Sequence, residues 1–258
     1  MIHTHIRTGL AFLLFFLYLP ALAGGDVITL RADEWCPYNC DPHSDAPGFI
    51  VEMAQVIFKK AGHSVDYDIM PWARAIQDTR KGKFNGIIGA GKEDAPDFIF
   101  PETEQAQMVN VFYVRKNDSW KYDGVGSLEG KVLGVIKDYT YIDDIDAYIS
   151  EHEKNSKKVQ VASGESALDS NVKKLLAGRI DILIEDSNVM GLYIKKNLKE
   201  NQLQTAGNLP PDMLFIAFSP ANPKSPSYAE IISKGIIELR QSGELNMILD
   251  KYGLKDWK

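Results

Sequence analysis

The sequence predicts an α/β fold. Apolar segments of strand length alternate with segments of helical periodicity through most of the chain, which is the pattern of a sheet covered by helices. No internal repeat or low-complexity tract interrupts this alternation. The 258 residues suffice for one large domain or for two lobes of roughly 100 residues each, and either arrangement buries a hydrophobic core.

The first 23 residues have the pattern of a cleavable secretory signal. Arg7 precedes an apolar run over residues 9–19, and Ala21-Leu22-Ala23 follows a break at Pro20. The run is about eleven residues long, whereas a membrane-spanning helix needs about 20, so a retained anchor is the weaker interpretation. We expect cleavage after Ala23, which would leave a periplasmic chain with no N-terminal cysteine to carry a lipid.

Charge and cysteine content narrow the class of protein. The chain has a formal net charge of −6, and loss of Arg7 with the signal makes it −7, so nucleic acid is not an expected partner. Cys36 and Cys40 are the two cysteines, and export to an oxidising compartment favours a small disulfide loop between them. A metal site recruiting His43 and a redox pair are less favoured, because the spacing fits neither chemistry. We expect no metal and no cofactor.

The first half of the chain predicts four strands and two helices. An apolar stripe from Ile50 to Phe58, stopped by Gly62, indicates the first helix. Pro71 suits the first turn of the second helix, where its missing N–H is not needed. In chain order the predicted elements are a strand over Val27–Ala32, the first helix, a strand over 65–69, a helix from Pro71 to about Arg80, a strand over Gly86–Ala90 and a strand over 109–114.

A polar, turn-rich segment over 116–130 precedes a second series of elements. In one helix of this series, Ser163 is the expected N-cap and Gly178 the expected stop. Pro210 and Pro211 end the series, because prolines neither continue a helix nor donate to a strand ladder. The predicted elements are strands over 131–136 and 180–185, helices around Ile145, Val172 and Ser187–Asn197, a return strand over 213–218, and two closing helices marked by Ile232 and Leu245.

Four stretches of the sequence carry a family resemblance. They are Trp35-Cys36-Pro37-Tyr38 after the first strand and the segments 48–54, 82–88 and 178–187. In this order and spacing, and with Ser242-Gly243-Glu244-Leu245 near the end, the chain resembles family 3 of the extracellular solute-binding proteins. The likeness covers essentially the whole chain after the predicted signal. Members of that family are periplasmic receptors associated with the uptake of polar amino acids by ABC transporters.

The resemblance implies a two-lobed, type II periplasmic-binding-protein-like fold, with a ligand cleft between lobes joined by two crossing strands and closed by a hinge. With crossings near Val114 and Met213, the expected division is a signal peptide over 1–23, lobe 1 over 24–115, lobe 2 over 116–210 and the return part of lobe 1 over 211–258. The implied function is capture of a small polar ligand, an amino acid or related small carboxylate, by a monomer that serves an ABC transporter permease.

The first lobe offers candidate ligand-binding residues at the carboxyl ends of its strands, where open parallel sheets place ligands. Trp35 and Tyr38 could sandwich a solute or pack on the disulfide loop. Trp72 and Arg74 open the second helix, and Arg74 could hold a carboxylate bidentately or be a solvated surface group. Amino acid binders of the family place an Arg after the third strand. This chain has Lys92 there, so Lys92 or Arg74 supplies that charge, or the ligand is not a plain α-amino acid.

The second lobe offers an anion-binding helix end and an acidic residue. Tyr139 and Thr140 occupy the place where the family presents a helix N-terminus to the ligand, although Thr140 could simply cap that helix. Asp186 falls where the family carries the carboxylate that pairs with the ligand's ammonium group. Glu185 is the alternative residue for that role. Asp186 could equally be the N-cap of the helix over Ser187–Asn197.

Two other classes of function stay open. A soluble sensory protein that presents its ligand to a membrane sensor would have the same cleft chemistry. A dehydratase-like enzyme on the same fold would need a general acid such as Glu185 or Glu34. No nucleophile–base pair is visible, and the histidines after the predicted signal are scattered, so we expect a binding protein and not an enzyme.

Overall fold

The computed structural model describes residues 24–164, 166–198 and 202–258. The predicted secretory signal over 1–23 lies outside the described residues. Within the described ranges, no helix has the length and apolar character needed to cross a membrane. The predicted α/β class is confirmed, since two five-stranded sheets are each covered by helices.

The first lobe is built on a sheet with the strand order β2-β1-β3-β10-β4. Strand β1 (Val27–Ala32) lies between two parallel partners, β2 (Ser64–Ile69) and β3 (Gly86–Ala90). Strand β10 (Asp212–Phe218) returns antiparallel to β3 and also pairs antiparallel with β4 (Ala106–Met108). The carboxyl ends of β1, β2 and β3 therefore meet at one edge, where their following loops gather.

Four helices cover this sheet: α1 (Phe49–Lys60), α2 (Trp72–Arg80), α6 (Ser225–Ser242) and α7 (Glu244–Lys251). The apolar stripe predicted for α1 is buried as expected, because its side chains face the sheet and α6. Gly235 brings α6 against α1, since a Cβ there would lie 2.3 Å from Ile57.

The second lobe is built on a sheet with the order β7-β6-β8-β5-β9. Its strands are β5 (Asn110–Arg115), β6 (Leu133–Ile136), β7 (Val159–Ala162), β8 (Ile182–Asp186) and β9 (Leu203–Asn208). Its helices are α3 (Asp143–His152), α4 (Ala167–Leu176) and α5 (Ser187–Asn197), and a 3₁₀ helix spans Val125–Leu128. A separate core lies between this sheet and its helices.

The first crossing between lobes lies at Val109, not near Val114 as the sequence analysis expected. Strand β4 pairs with β10 in the first sheet, whereas β5 pairs with β8 and β9 in the second. A single residue separates β4 from β5, so no turn residue marks the change of lobe in the sequence. The second crossing precedes β10, which begins at Asp212.

Three strands and one helix cap differ from the expectations. The sequence did not predict β4, β7 or β9, because none of them has a clear apolar pattern. Strand β4 is only three residues long. Strands β7 and β9 form the two edges of the second sheet and contain polar residues. Helix α4 begins at Ala167 with Ser166 as its N-cap, so the prediction of Ser163 as cap was wrong.

Candidate ligand-binding site

Two adjoining cavities lie where the lobes meet. The main cavity has a volume of about 390 Å³ and is lined from both lobes. A smaller cavity of about 40 Å³, which we call the hinge cavity, reaches Met108 and Asn110 on either side of the first crossing. The two cavities share Asp33, Trp35, Trp72 and Tyr139 in their linings, so they adjoin one another.

The loop after β1 holds the first aromatic wall. Cys36 and Cys40 form the predicted disulfide, with their Cα atoms 4.7 Å apart. The Trp35 N–H donates to the Asn39 carbonyl at 2.8 Å, and the indole stacks on Tyr38 with ring centroids 4.4 Å apart. The loop is closed covalently and by hydrogen bonds, so the Trp35 ring is fixed against both cavities.

Asn39 lines the hinge cavity and has a buried side-chain oxygen. Its Nδ2 donates to the Asp33 carbonyl at 2.6 Å, which fixes the orientation of the amide, because the opposite orientation would set two oxygens against each other. The residue is 1% exposed, and its Oδ1 has no hydrogen-bond partner among the described residues. A buried acceptor is thus left open at the wall of the site.

Glu185 supplies the most deeply buried carboxylate of the site. It lies in β8, is 2% exposed, and lines the main cavity. Its Oε1 accepts hydrogen bonds from the indole N–H of Trp35 at 3.1 Å and from the Asp186 N–H at 2.9 Å. Its Oε2 has no partner among the described residues. Burial raises the pKa of Glu185 to about 8, and the nearby carboxylates of Asp186 and Asp33 add to the rise.

Two further carboxylates join the lobes across the cleft. The Tyr139 hydroxyl donates to Asp33 at 2.8 Å, and the Thr140 hydroxyl donates to Asp94 at 2.5 Å. Asp33 and Asp94 belong to the first lobe, whereas Tyr139 and Thr140 follow β6 in the second. Burial raises the pKa of each of these two carboxyls to about 6. The described conformation is therefore one in which side chains of the two lobes touch.

Basic groups lie at the mouth of the cleft. The Arg74 side chain lines the main cavity but is 66% exposed, and its Nε lies 3.6 Å from Asp78 Oδ2. Lys137 also lines the main cavity and is exposed. Lys92 lines neither cavity, because its ammonium lies over the Phe215 ring at 5.3 Å. Positive charge is thus confined to the solvent side of the site.

The structure brings together five of the eight residues that the sequence analysis selected. Trp35, Trp72, Arg74, Tyr139 and Thr140 line the cavities, whereas Tyr38, Lys92 and Asp186 do not.

The three residues outside the site have other contacts. The Tyr38 ring is buried behind Trp35, and its hydroxyl bonds Gln107 and Asn188. Asp186 is the N-cap of α5, the alternative that the sequence left open, and accepts from the N–H groups of Asn188 and Val189. Of these two neighbouring acidic residues, Glu185 and not Asp186 lines the main cavity.

Sequence reasoning missed Asp33, Asn39 and Asp94. Asp33 follows β1 directly and Asp94 follows β3, so the rule that selected Trp35 and Lys92 also applies to them. Asn39 lies inside the disulfide loop, and no pattern in the sequence shows that its amide oxygen is left open.

The start of α3 is not a free anion site. The backbone N–H of Tyr141 donates to both carboxylate oxygens of Asp146, at 3.1 and 3.2 Å. Asp143 and Asp144 add negative charge to the same first turn. The helix dipole there is already compensated by the chain's own carboxylates.

These features define a two-lobed binding protein that encloses a small molecule between its lobes. Clefts between domains are common sites for small ligands, and hinge closure around them is a known motion. Within the described residues, no cluster of three or more His, Cys, Asp or Glu side chains is arranged to hold a metal ion.

The chain belongs to the bacterial extracellular solute-binding proteins, family 3, whose sequence model matches residues 28–255. A similar curated protein is the probable amino-acid-binding protein YxeM of Bacillus subtilis (strain 168), 22% identical over 226 residues that cover 85% of this chain and 81% of that protein. A crystal structure of a mutant of ArgBP from T. maritima has a TM-score of 0.70 at 20% identity, covering 88% of this chain and 95% of that one.

A histidine kinase sensor domain with similarity to periplasmic binding proteins has a TM-score of 0.72 at 16% identity, covering 90% of this chain and 99% of that one. These structural likenesses confirm the predicted two-lobed fold.

Replacement of Trp35 by Phe tests the bond between the loop and Glu185. The ring still stacks on Tyr38, but the N–H donor to Glu185 is lost, so we expect the pKa of Glu185 to rise further and the protein to lose about 1 kcal/mol of stability. Carbon-detected NMR titration and urea unfolding measure the two effects. Trp72→Phe is the matched control, since no hydrogen bond from its indole is found in the described residues. Equal titration of Glu185 in both variants would contradict the assignment.

Proposed function

We propose that this protein is a periplasmic receptor that captures a small polar solute bearing an amino group and delivers it to an ABC transporter, without acting as an enzyme. The observation that carries the proposal is a pair of adjoining cavities between two lobes, lined by aromatic rings and by the carboxyl groups of Asp33, Asp94 and Glu185. Aromatic faces and carboxylates both attract ammonium groups. A capture role needs enclosure and release, and no catalytic group.

Within this proposal each lining residue has a role. Glu185 and Asp33 attract the ammonium group, Trp35 and Trp72 cover the apolar part of the solute, and Tyr139 and Thr140 reach it from the second lobe. Arg74, at the mouth, meets any negatively charged end. The name of the curated relative, a probable amino-acid-binding protein, supports an amino-bearing solute.

The proposed location and partners follow from the family and the sequence. The family is extracellular, and the pattern over 1–23 supports export to the periplasm with cleavage after Ala23. The net charge of −6 argues against nucleic acid as a partner. A monomer would leave both lobes free to contact a transporter.

A thermal-shift screen tests the proposal on protein exported with its own N-terminus and purified from the periplasmic fraction. Ligand at 100 times its dissociation constant stabilises a protein by about 2.7 kcal/mol. We expect a raised melting midpoint with at least one amino acid or amine and none with sugars or simple carboxylates. N-terminal sequencing is expected to start at Gly24. A shift with sugars alone, or with no compound, would overturn the proposed function.

A further inference from the structure

We propose that the ligand is an aliphatic di- or polyamine without a carboxylate, because, among the described residues, the adjoining cavities are lined by carboxyl groups of both lobes that have no ion-pair partner, by two residues with partnerless oxygens, and by no buried cation. This inference rests on the proposed function and narrows it. Four features of the site favour such a ligand: partnerless oxygens, uncompensated carboxyl groups, the exposed position of the basic groups, and the aromatic walls.

Two buried polar atoms of residues that line the site have no hydrogen-bond partner among the described residues. They are Oε2 of Glu185, a residue in the lining of the main cavity, and Oδ1 of Asn39, a residue in the lining of the hinge cavity. Both residues are at least 98% buried. A buried acceptor left without a donor is unfavourable, so the site is completed by a ligand that supplies N–H groups. A quaternary ammonium group, which has no N–H, does not meet this need.

The charge of the site is also uncompensated. The hydrogen-bond partners of Asp33, Asp94 and Glu185 are hydroxyl, indole and backbone N–H groups, which carry no net charge. None of these carboxylates takes part in an ion pair among the described residues. Asp33 and Asp94, with pKa values of about 6, are ionised at neutral pH, and a cationic group beside Glu185 lowers the raised pKa of that carboxyl, so the site attracts a ligand with more than one positive charge.

The site has no buried partner for a ligand carboxylate. The basic residues of its lining, Arg74 and Lys137, are exposed, and Arg74 already lies 3.6 Å from Asp78. The first turn of α3 is occupied by the Asp146 carboxylate. A carboxylate inside the site would instead face the carboxylates of Asp33 and Asp94, which repel it.

The walls fit an alkyl chain between ammonium ends. Trp35 and Trp72 are buried aromatic residues that line both cavities, and Tyr139 meets Trp35 edge to face at 6.3 Å. Methylene groups bury apolar area against such rings, and ammonium groups interact with their faces. One of the two partnerless oxygens belongs to a residue in the lining of each cavity. An amine with a cationic group at each end therefore has an N–H donor for each oxygen.

Calorimetric titration with matched pairs of compounds tests the inference on the exported protein. Lysine and 1,5-diaminopentane differ by one carboxylate, and so do arginine and agmatine. We expect each decarboxylated compound to bind at least about tenfold more tightly than its amino acid, which corresponds to about 1.4 kcal/mol. Tighter binding of lysine and arginine would overturn this inference and leave the proposed function standing. Failure of every amino-bearing compound to bind would overturn both.

Glu185→Gln tests the acceptor directly. The amide cannot ionise when an ammonium group binds beside it, and it can set a donor where the carboxyl has a partnerless oxygen, so we expect the affinity for 1,5-diaminopentane to fall at least about tenfold. Glu93→Gln is the matched control, since Glu93 is exposed and lies outside both linings. We expect its affinity to match that of the parent. Equal affinity of Glu185→Gln and the parent, with unfolding curves showing both folded, would overturn the inference.

Discussion

Glu185→Gln is expected to remove most of the pH dependence of stability that the ligand-free protein has between about pH 5 and about pH 8. The folded protein raises the pKa of Glu185 from 4.5 to about 8, so in this window the folded state holds a proton that the unfolded chain has released. The free energy of unfolding therefore falls as pH rises through the window and levels off above it. One such group changes it by at most about 1.4 kcal/mol per pH unit, or about 3 kcal/mol over two units.

Urea unfolding at about pH 5.5, 6.5 and 7.5 measures this slope in the parent and the variant. The titratable groups around Glu185 are Asp33, Asp186 and the phenols of Tyr38, Tyr113, Tyr139 and Tyr141. Asp33 and Asp94 have raised pKa values of about 6, so they act mainly in the lower part of the window. Asp26 and Asp78 have lowered pKa values and affect stability only at lower pH. A variant with the parental slope above about pH 6.5 would show that Glu185 is not the group responsible.

Gly48→Ala is expected to destabilise the protein by about 3 to 5 kcal/mol. Gly48 precedes α1 with φ of 111° and ψ of 142°, a conformation that residues with a Cβ rarely adopt. A Cβ would lie 2.4 Å from the Tyr38 carbonyl oxygen and 2.6 Å from the Asn39 Cα. These are backbone atoms of the disulfide loop, so relief requires the loop itself to move. We therefore also expect weaker ligand binding, because Trp35 and Asn39 belong to that loop.

Chemical denaturation measures the loss, and Gly191→Ala is its control. Gly191 lies in α5 with open space around it, so alanine there is expected to stabilise the protein by up to about 1 kcal/mol through helix propensity. If Gly48→Ala lost less than about 1 kcal/mol, the close approach of α1 to the loop would not be the constraint described here.

The sequence was sufficient for the elements that bury a regular apolar face. The stripe of α1 and the buried runs of β1, β3 and β10 each follow a helix or strand period, and the structure has all four. Strands β4, β7 and β9 were missed because sheet pairing, and not their own composition, determines their conformation.

The site was predictable in position but less so in chemistry. The carboxyl ends of parallel strands led to Trp35 and Trp72, and both line the cavities. The sequence did not show whether Asp186 or Glu185 lines the cavity. Adjacent strand residues point to opposite faces, so only one of the two can do so. An acidic residue before a helix is equally expected for an N-cap and for a ligand contact. The open oxygen of Asn39 depends on one backbone contact, which only coordinates reveal.

The cap made by Asp186 also restricts the mechanics of the two lobes. Its Oδ2 accepts the Val109 N–H at 3.0 Å, and the Val109 carbonyl accepts the Ser187 N–H, so the first crossing residue is attached to the second lobe on both sides. Met108, its neighbour, pairs with Asp212 in the first lobe. Backbone rotation between the lobes is therefore limited to two links. One is Met108–Val109, and the other is Pro210-Pro211, where the proline rings fix the φ angles. We therefore expect the lobes to move mainly by rotation about the line that joins these two links.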